Sequence, residues 1–186
     1  MKQKTRNYLS GRISEKQLKS FLIPAEKWRP YPTINDASGW ASVPKLLRTA
    51  YIKNAEKYLA MPWEALKASA FLDFTRNGNR SRYEGVMFER RQRLACLVMA
   101  EIFENKGRFL DEIANGIWAI AEETFWGCPA CIYLQKKGKG SGLPDITEPI
   151  IDLFAAETGA LLAWTVYLVG DKLDKVSPRI MERVCY

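Results

Sequence analysis

The stretch Tyr83-Glu-Gly-Val-Met-Phe-Glu-Arg-Arg-Gln-Arg-Leu-Ala-Cys-Leu-Val-Met-Ala-Glu-Ile-Phe-Glu-Asn105 decides the fold class. Met87, Leu94, Val98 and Ile102 recur every three or four residues, and Arg91 falls on the same stripe. That is the period of a helix with one face turned inward, and no proline interrupts it. The spacing predicts a helix over 83–105, stopped by Lys106-Gly107. The same period continues outward on both sides. Downstream, Arg108 to Phe125 reads as the next helix. A long helix over 149–169 follows, with Ile150, Leu153, Glu157, Leu161, Trp164 and Leu168 in line and Gly170 closing it. Ser177-Pro178 then pairs a cap residue with the imino acid favoured in a first helical turn.

Upstream, Pro44 opens a helix with Leu47, Ala50, Tyr51, Asn54 and Tyr58 on one face. Met61-Pro62 ends it and starts another through Trp63, Leu66, Ala70 and Phe74, and Arg76-Asn-Gly-Asn-Arg80 is a turn by composition. A short helix over 14–23 precedes Trp28-Arg-Pro-Tyr-Pro32, whose prolines forbid helix. No segment alternates in the manner of a strand. The expectation is an all-α chain of antiparallel helical hairpins, one domain over 1–186 with an irregular segment and short helix over 1–40. No self-similarity of about 34 or 40 residues marks a repeat array. The loop 127–143 is rich in Gly and Lys and is expected to be mobile. The chain ends at Arg183-Val-Cys-Tyr186, inside the last helical pattern, and reads as one that continues.

Composition narrows the chemistry. Of 186 residues, 47% are hydrophobic and 12% aromatic, ample for a packed interior and far from a disordered tail. No run of about 18 apolar residues occurs, which argues against a membrane span. Met1 to Ser14 is basic and polar without the apolar centre of a signal peptide. Histidine is absent altogether. The commonest general base, the commonest metal ligand and every Ser-His or Cys-His pair are therefore excluded. Charge is uneven: residues 1–93 hold 19 Lys and Arg against 8 Asp and Glu, and residues 94–186 hold 9 against 13. A basic half suits anionic polymers or a solvated surface.

The cysteines lie at 96, 128, 131 and 185. Cys128-Pro-Ala-Cys131 lacks the strand before and helix after that a thioredoxin-like site needs, and no second C-x-x-C completes a zinc site. The pair is expected in a turn, with Cys96 a small buried apolar residue. Lys136-Lys-Gly-Lys-Gly-Ser-Gly142 is not a phosphate loop, because the first glycine of that motif is missing.

Two oddities interrupt the apolar stripes. Arg91 and Glu157 each face a core, so these two, or near neighbours such as Arg90, are expected to form a buried ion pair joining two helices or, alternatively, to line a ligand cleft. On the helix 108–125, Asp111, Asn115, Trp118 and Glu122 share one side, extended by Glu123, Phe125 and Trp126 toward the loop. Carboxylates and amides beside an indole plane suit sugar hydroxyls and an apolar sugar face, and equally suit ordinary helix packing. Arg76, Arg80, Arg82, Arg90, Arg91 and Arg93 supply fork-shaped donors for carboxylate, sulfate or phosphate. No nucleic-acid-binding signature accompanies them.

Gly107-Arg-Phe-Leu-Asp-Glu-Ile-Ala-Asn-Gly-Ile-Trp-Ala-Ile-Ala-Glu-Glu-Thr-Phe-Trp126, followed by Pro129-Ala130, resembles the N-terminal helical region of the heparinase II/III-like family. Leu143-Pro-Asp145, Ile151-Asp-Leu-Phe-Ala-Ala-Glu-Thr158, Leu168-Val-Gly-Asp-Lys-Leu-Asp174 and Ser177-Pro178 follow in the family's order, with Tyr83-Glu84 and Arg90-Arg91 upstream. The resemblance implies part of an (α/α) toroid, normally completed by further helices and a β-sandwich. It implies a periplasmic or secreted lyase that cleaves uronic-acid-containing polysaccharide by β-elimination. The family's catalytic Asn or Glu, Tyr and His come from later motifs, none of which occurs here, so no catalytic residue is expected in this chain. Glu122, Glu123 and Trp126 match the family's Glu-Glu-x-x-Trp stretch and are substrate-side candidates. Trp118 and Arg82 join them from the residue reading. Cys131 stands where the family commonly has His. No cofactor or metal is expected. The expected partners are an acidic polysaccharide, the remaining toroid and sandwich, and a second copy of the chain. Nucleic acid and membrane are not favoured. A glycoside hydrolase on a related toroid, or a non-catalytic helical module holding anionic polymers, are the rivals.

Overall fold

The computed structural model describes residues 11–137 and 140–186, and it is all-α: no strand occurs among the described residues. The chain divides into two compact units, Met1–Tyr31 and Pro32–Tyr186. In the first, α1 (Glu15–Phe21) starts with a capping box, in which the Gln17 N–H donates to Ser14 Oγ (3.3 Å) and the Ser14 N–H donates to Gln17 Oε1 (2.9 Å). None of its residues is buried, and a 3₁₀ turn follows at Ala25–Lys27.

The second unit holds α2 (Lys45–Tyr58), α3 (Ala68–Asn77), α4 (Ser81–Glu104), α5 (Leu110–Ala121), a 3₁₀ segment (Pro129–Leu134), α6 (Leu153–Val176) and α7 (Pro178–Cys185). The stripe that predicts α4 makes it the central element, packed against α2, α3, α5 and α6. Its register with each neighbour can be followed from side-chain pairs. Arg93 meets the end of α2 at Tyr58 while Cys96 meets Tyr51, so α2 and α4 run antiparallel. Arg93 pairs with Glu112, and Arg90 and Arg91 pair with Glu123 just beyond α5, so α5 folds back along α4. Phe88 stacks near Phe154 and Arg91 reaches Thr158, so α6 runs alongside α4 in the same direction.

Glu101, fully buried, closes the α4–α5 turn. Its carboxylate accepts the Gly107 N–H (2.7 Å) and the Phe109 N–H (3.1 Å). Asn105 and Gly107 take the positive φ values that reverse the chain there. The core then fills with Leu94, Leu97, Phe109, Ile113, Ile117, Ile120, Val169 and Leu173. Each large side chain buried this completely contributes about 1.5–3 kcal/mol. Gly116 lets the Trp63 indole lie against α5, since a Cβ there would come within 2.6 Å of the ring.

Four boundaries differ from expectation by more than two residues. The first is the start of α6, at Leu153 rather than residue 149, where Asp152 caps the helix by accepting the Ala155 N–H. Residues 61–67 are not helical and α3 begins at Ala68, because Arg93 gathers the carbonyl oxygens of Tyr58, Met61 and Pro62 and holds that backbone irregular. Gly170 does not close α6, which continues to Val176; the absent side chain instead makes room for Met181 of α7. α5 ends at Ala121, short of Phe125, which turns the following residues out of helical phase. Ser177 and Pro178 cap and open α7 as expected, with the Arg179 N–H donating to Ser177 Oγ.

The loop 127–143 contains the 3₁₀ segment and is tied at its exit. Buried Gln135 donates to the Asp145 and Glu148 carbonyls and accepts from the Asp145 N–H, while the Glu148 carboxylate receives the Lys136 and Lys137 N–H groups. By length and composition alone, α6 could cross a membrane, with a mean hydropathy of 1.4 over its most apolar stretch. Its buried face packs against α4, α5 and α7.

Candidate functional site

The early end of α5 builds the site. The Glu123 N–H bonds back to the Ile120 carbonyl (3.2 Å), and the chain then turns inward instead of continuing along the exposed face. Glu123 enters the space between α5 and α4, where its side chain is 2% exposed. Arg90 Nη1 donates to its Oε1 (2.7 Å), and Arg91 donates to both oxygens, from Nη1 (3.0 Å) and Nη2 (2.6 Å). Arg91 is completed by its Nε bond to Thr158 Oγ1 (3.0 Å) and a bond to the Met87 carbonyl. Two guanidinium groups share one buried carboxylate, so the network carries an excess positive charge. Arg90 Nε within it has no hydrogen-bond partner.

Beside this network lies a cavity of about 370 Å³ between α3, the first half of α4 and residues 122–125. Phe71, Tyr83 and Phe125 give it an aromatic wall, and Arg90, Glu122 and Glu123 supply charge. The size suits a small ligand or a single residue of a polymer. Burial and the nearby Glu123 charge hold the Tyr83 phenol up to about 12, so Tyr83 stays protonated and donates rather than serving as a base. A second, mainly apolar cavity of about 510 Å³ shares Glu123, Thr124 and Phe125 with the first and extends to Ile146, Pro149 and Ile151.

Glu122 and Glu123 thus reach one cavity, but by different routes. Glu122 is the exposed cap residue of α5, while Glu123 is committed to two arginines. Asp111, Asn115 and Trp118 do share a side of α5 with Glu122, and that side faces solvent. Trp118 is half exposed and outside the cavity walls. Trp126 is partly buried, its indole N–H donating to the Ile120 carbonyl (2.9 Å), and it lines the second cavity. Arg82 is exposed and paired with Asp73 at 2.8 Å.

The ion pair expected between Arg91 and Glu157 is corrected by these contacts. Arg91 pairs with Glu123, and Glu157 is exposed. Thr158, one residue further along α6, is the residue that faces Arg91. Glu157 and Arg91 meet only as parts of the wall of a 330 Å³ groove between α4 and α6.

Most of the arginine cluster is paired within the chain, Arg80 and Arg82 at the surface and Arg90, Arg91 and Arg93 in the interior. Arg80 pairs with Glu84, Arg82 with Asp73, Arg90 and Arg91 with Glu123, and Arg93 with Glu112. Arg93 does the most structural work that the sequence conceals. Besides Glu112 (2.5 Å) and three carbonyls, its guanidinium stacks 3.9 Å from the Trp63 ring, a cation–π contact in a buried setting.

No family model matches this chain, and no curated protein matches it. The site must therefore be read from its own chemistry. Among the described residues no group of three or more Cys, Asp or Glu side chains is arranged to hold a metal ion. Asp111 and Glu157, the carboxylates that a hydrolase would need opposite Glu122 or Glu123, do not line the cavity. What the cavity offers is recognition. It presents an aromatic wall, a protonated phenol, an exposed carboxylate at Glu122 and a guanidinium at Arg90.

Proposed function

We propose that this chain is the N-terminal helical part of a heparinase II/III-like polysaccharide lyase, and that its 370 Å³ cavity holds one residue of an acidic polysaccharide. The hairpins of α2 to α7 would then form one arc of an (α/α) toroid in a periplasmic or secreted enzyme. The observation that carries the reading is the meeting of Glu122 and Glu123, from the motif that resembles the family's, with Arg90 and an aromatic wall in one cavity.

Each group has a task in sugar binding. Phe71 and Phe125 offer rings to an apolar sugar face, and the Glu122 carboxylate accepts from hydroxyls. Arg90 and Tyr83 donate to a uronate carboxylate or a ring hydroxyl. β-Elimination also needs a base near the C5 proton, and the two groups most often used for it are not at hand in this cavity. Histidine is absent and Tyr83 is held protonated. The catalytic groups accordingly lie on other toroid helices and the sandwich, and this chain positions substrate for them.

Titrating the chain with uronate-containing oligosaccharides, with neutral oligosaccharides of equal length as the comparison, tests this. Preferential binding of the acidic sugar, weakened by Glu122→Ala and unaccompanied by the ultraviolet absorbance of an unsaturated product, is expected. Absence of any preference for the acidic sugar, or formation of unsaturated product by this chain alone, refutes it.

A further inference from the structure

Because Arg93 draws the carbonyl oxygens of Tyr58, Met61 and Pro62 to itself, the chain between α2 and α3 runs past α4 as irregular backbone. Between residues 61–64 of that stretch and residues 86–93 of α4 lies a cavity of about 340 Å³. The volume is within the range of small-molecule sites.

This cavity is polarised from floor to mouth. Arg90 and Arg93, one turn apart on α4, both line it and are 9% and 3% exposed. Each has a buried Nε without a hydrogen-bond partner. Arg93 commits its Nη groups to three carbonyls and Glu112. Arg90 is committed far less. A guanidinium carries five N–H donors, and among the described residues Arg90 makes one hydrogen bond, from Nη1 to Glu123. Arg90, Arg91 and Arg93 together meet two inward carboxylates, Glu123 and Glu112, so the floor keeps an excess positive charge. Glu64 and Glu89 line the same cavity and are exposed. Met61 and Val86 add apolar wall.

Buried guanidiniums behind exposed carboxylates select against simple ions of either sign. A bare anion meets the carboxylates at the mouth, and a bare cation meets the arginines on the floor. A molecule that carries both charges finds a partner for each. We propose that this cavity binds a free apolar α-amino acid as its zwitterion, with the carboxylate on Arg90, the ammonium against Glu64 and Glu89, and the side chain against Met61 and Val86. The spare donors of Arg90, desolvated and fork-shaped, hold the carboxylate and supply most of the affinity. The carboxylates at the mouth, being exposed, contribute less and act mainly by repelling anions that lack an ammonium. Arg90 belongs to the walls of this cavity and of the 370 Å³ cavity, whereas Glu122 lines only the latter. The proposal does not rest on the sugar reading.

The test titrates the full chain calorimetrically with L-leucine, 4-methylpentanoate and 3-methylbutylamine, which are the same carbon skeleton with both charges, with the carboxylate alone and with the ammonium alone. Leucine is expected to bind at about 1 mM or tighter. The amine should bind at least about tenfold more weakly, having lost the bonds to a charged group, and the carboxylate alone about threefold or more. Replacing both exposed residues, Glu64→Gln with Glu89→Gln, should close the gap between leucine and 4-methylpentanoate. Arg90→Met, checked for folding by circular dichroism, should abolish leucine binding, and Glu122→Ala should leave it unchanged, which separates this site from the sugar site. Absence of leucine binding at about 1 mM, equal affinity for the three compounds, or a gap unmoved by the paired glutamine variant overturns the proposal. So does a folded Arg90→Met chain that binds leucine as the parent does.

Discussion

Replacing Glu123 by Gln isolates the energetics of the site. The side chain keeps its shape, but the only carboxylate shared by Arg90 and Arg91 loses its charge. Three charge-assisted hydrogen bonds of 2.6–3.0 Å weaken together, with two guanidiniums left in an environment where each side chain is about a tenth exposed. Removing one partner of a buried pair in this way costs about 3–5 kcal/mol, because the remaining charge stays buried without compensation. For a chain of this length the melting temperature should fall by roughly 6–20 °C. Urea unfolding followed by far-ultraviolet circular dichroism measures the loss directly, and an unchanged slope ties it to stability. Adding Arg91→Met to Glu123→Gln removes the charge that has lost its partner and should restore more than about 1 kcal/mol. A Glu123→Gln chain within about 1 kcal/mol of the parent, or a double variant no better than the single one, would show that the network is not the buried charge cluster described.

Arg93→Lys keeps the charge but loses the fork that reaches Tyr58, Met61 and Pro62, so a loss of more than about 2 kcal/mol is expected in the same unfolding assay. Arg82→Ala, at an exposed pair, should cost less than about 1 kcal/mol. Gly116→Ala should destabilise the chain despite alanine's higher helix propensity, because its Cβ would collide with the Trp63 ring; a raised melting temperature would contradict that packing. At alkaline pH, the folded chain retains protons on Cys131, Cys128 and Tyr83 that the unfolded chain releases from about pH 9 for cysteine and 10 for tyrosine. Their contribution to stability is complete below pH 9 and is lost as pH rises toward 11 and 12. Thermal melts across pH 8–11 should show a falling melting temperature, and Tyr83→Phe should flatten the upper part of that fall.

What could be read from the sequence was local. The α4 stripe and the Ser177-Pro178 cap act through residues a turn apart, so periodicity and cap chemistry reveal them. Glu123 was visible as a candidate but its role was not. Extending the α5 face past Ala121 places it beside Glu122, whereas the helix ends and swings it to arginines 32 and 33 residues away. The stripe marks Arg91 as an inward cation but not its partner, because a one-residue difference along α6 puts Thr158 rather than Glu157 opposite it. Arg93 hides for another reason: most of its partners are backbone carbonyls, which every residue possesses and no side-chain pattern can mark. Gly170 looked like a stop, but whether a glycine ends a helix or admits a neighbour depends on Met181, which lies on the next helix.

The clasp made by Gln135 and Glu148 has a practical corollary. Because those two side chains fasten the backbone at Lys136, Lys137 and Asp145, the span between the fastenings can be lengthened without disturbing what they hold. Doubling such a span costs only about 0.6 kcal/mol in closure entropy. An epitope grafted into that span would leave both anchors in place, but next to Leu143 and Pro144 it would also bear on the wall of the 370 Å³ cavity, so its position can report on that wall.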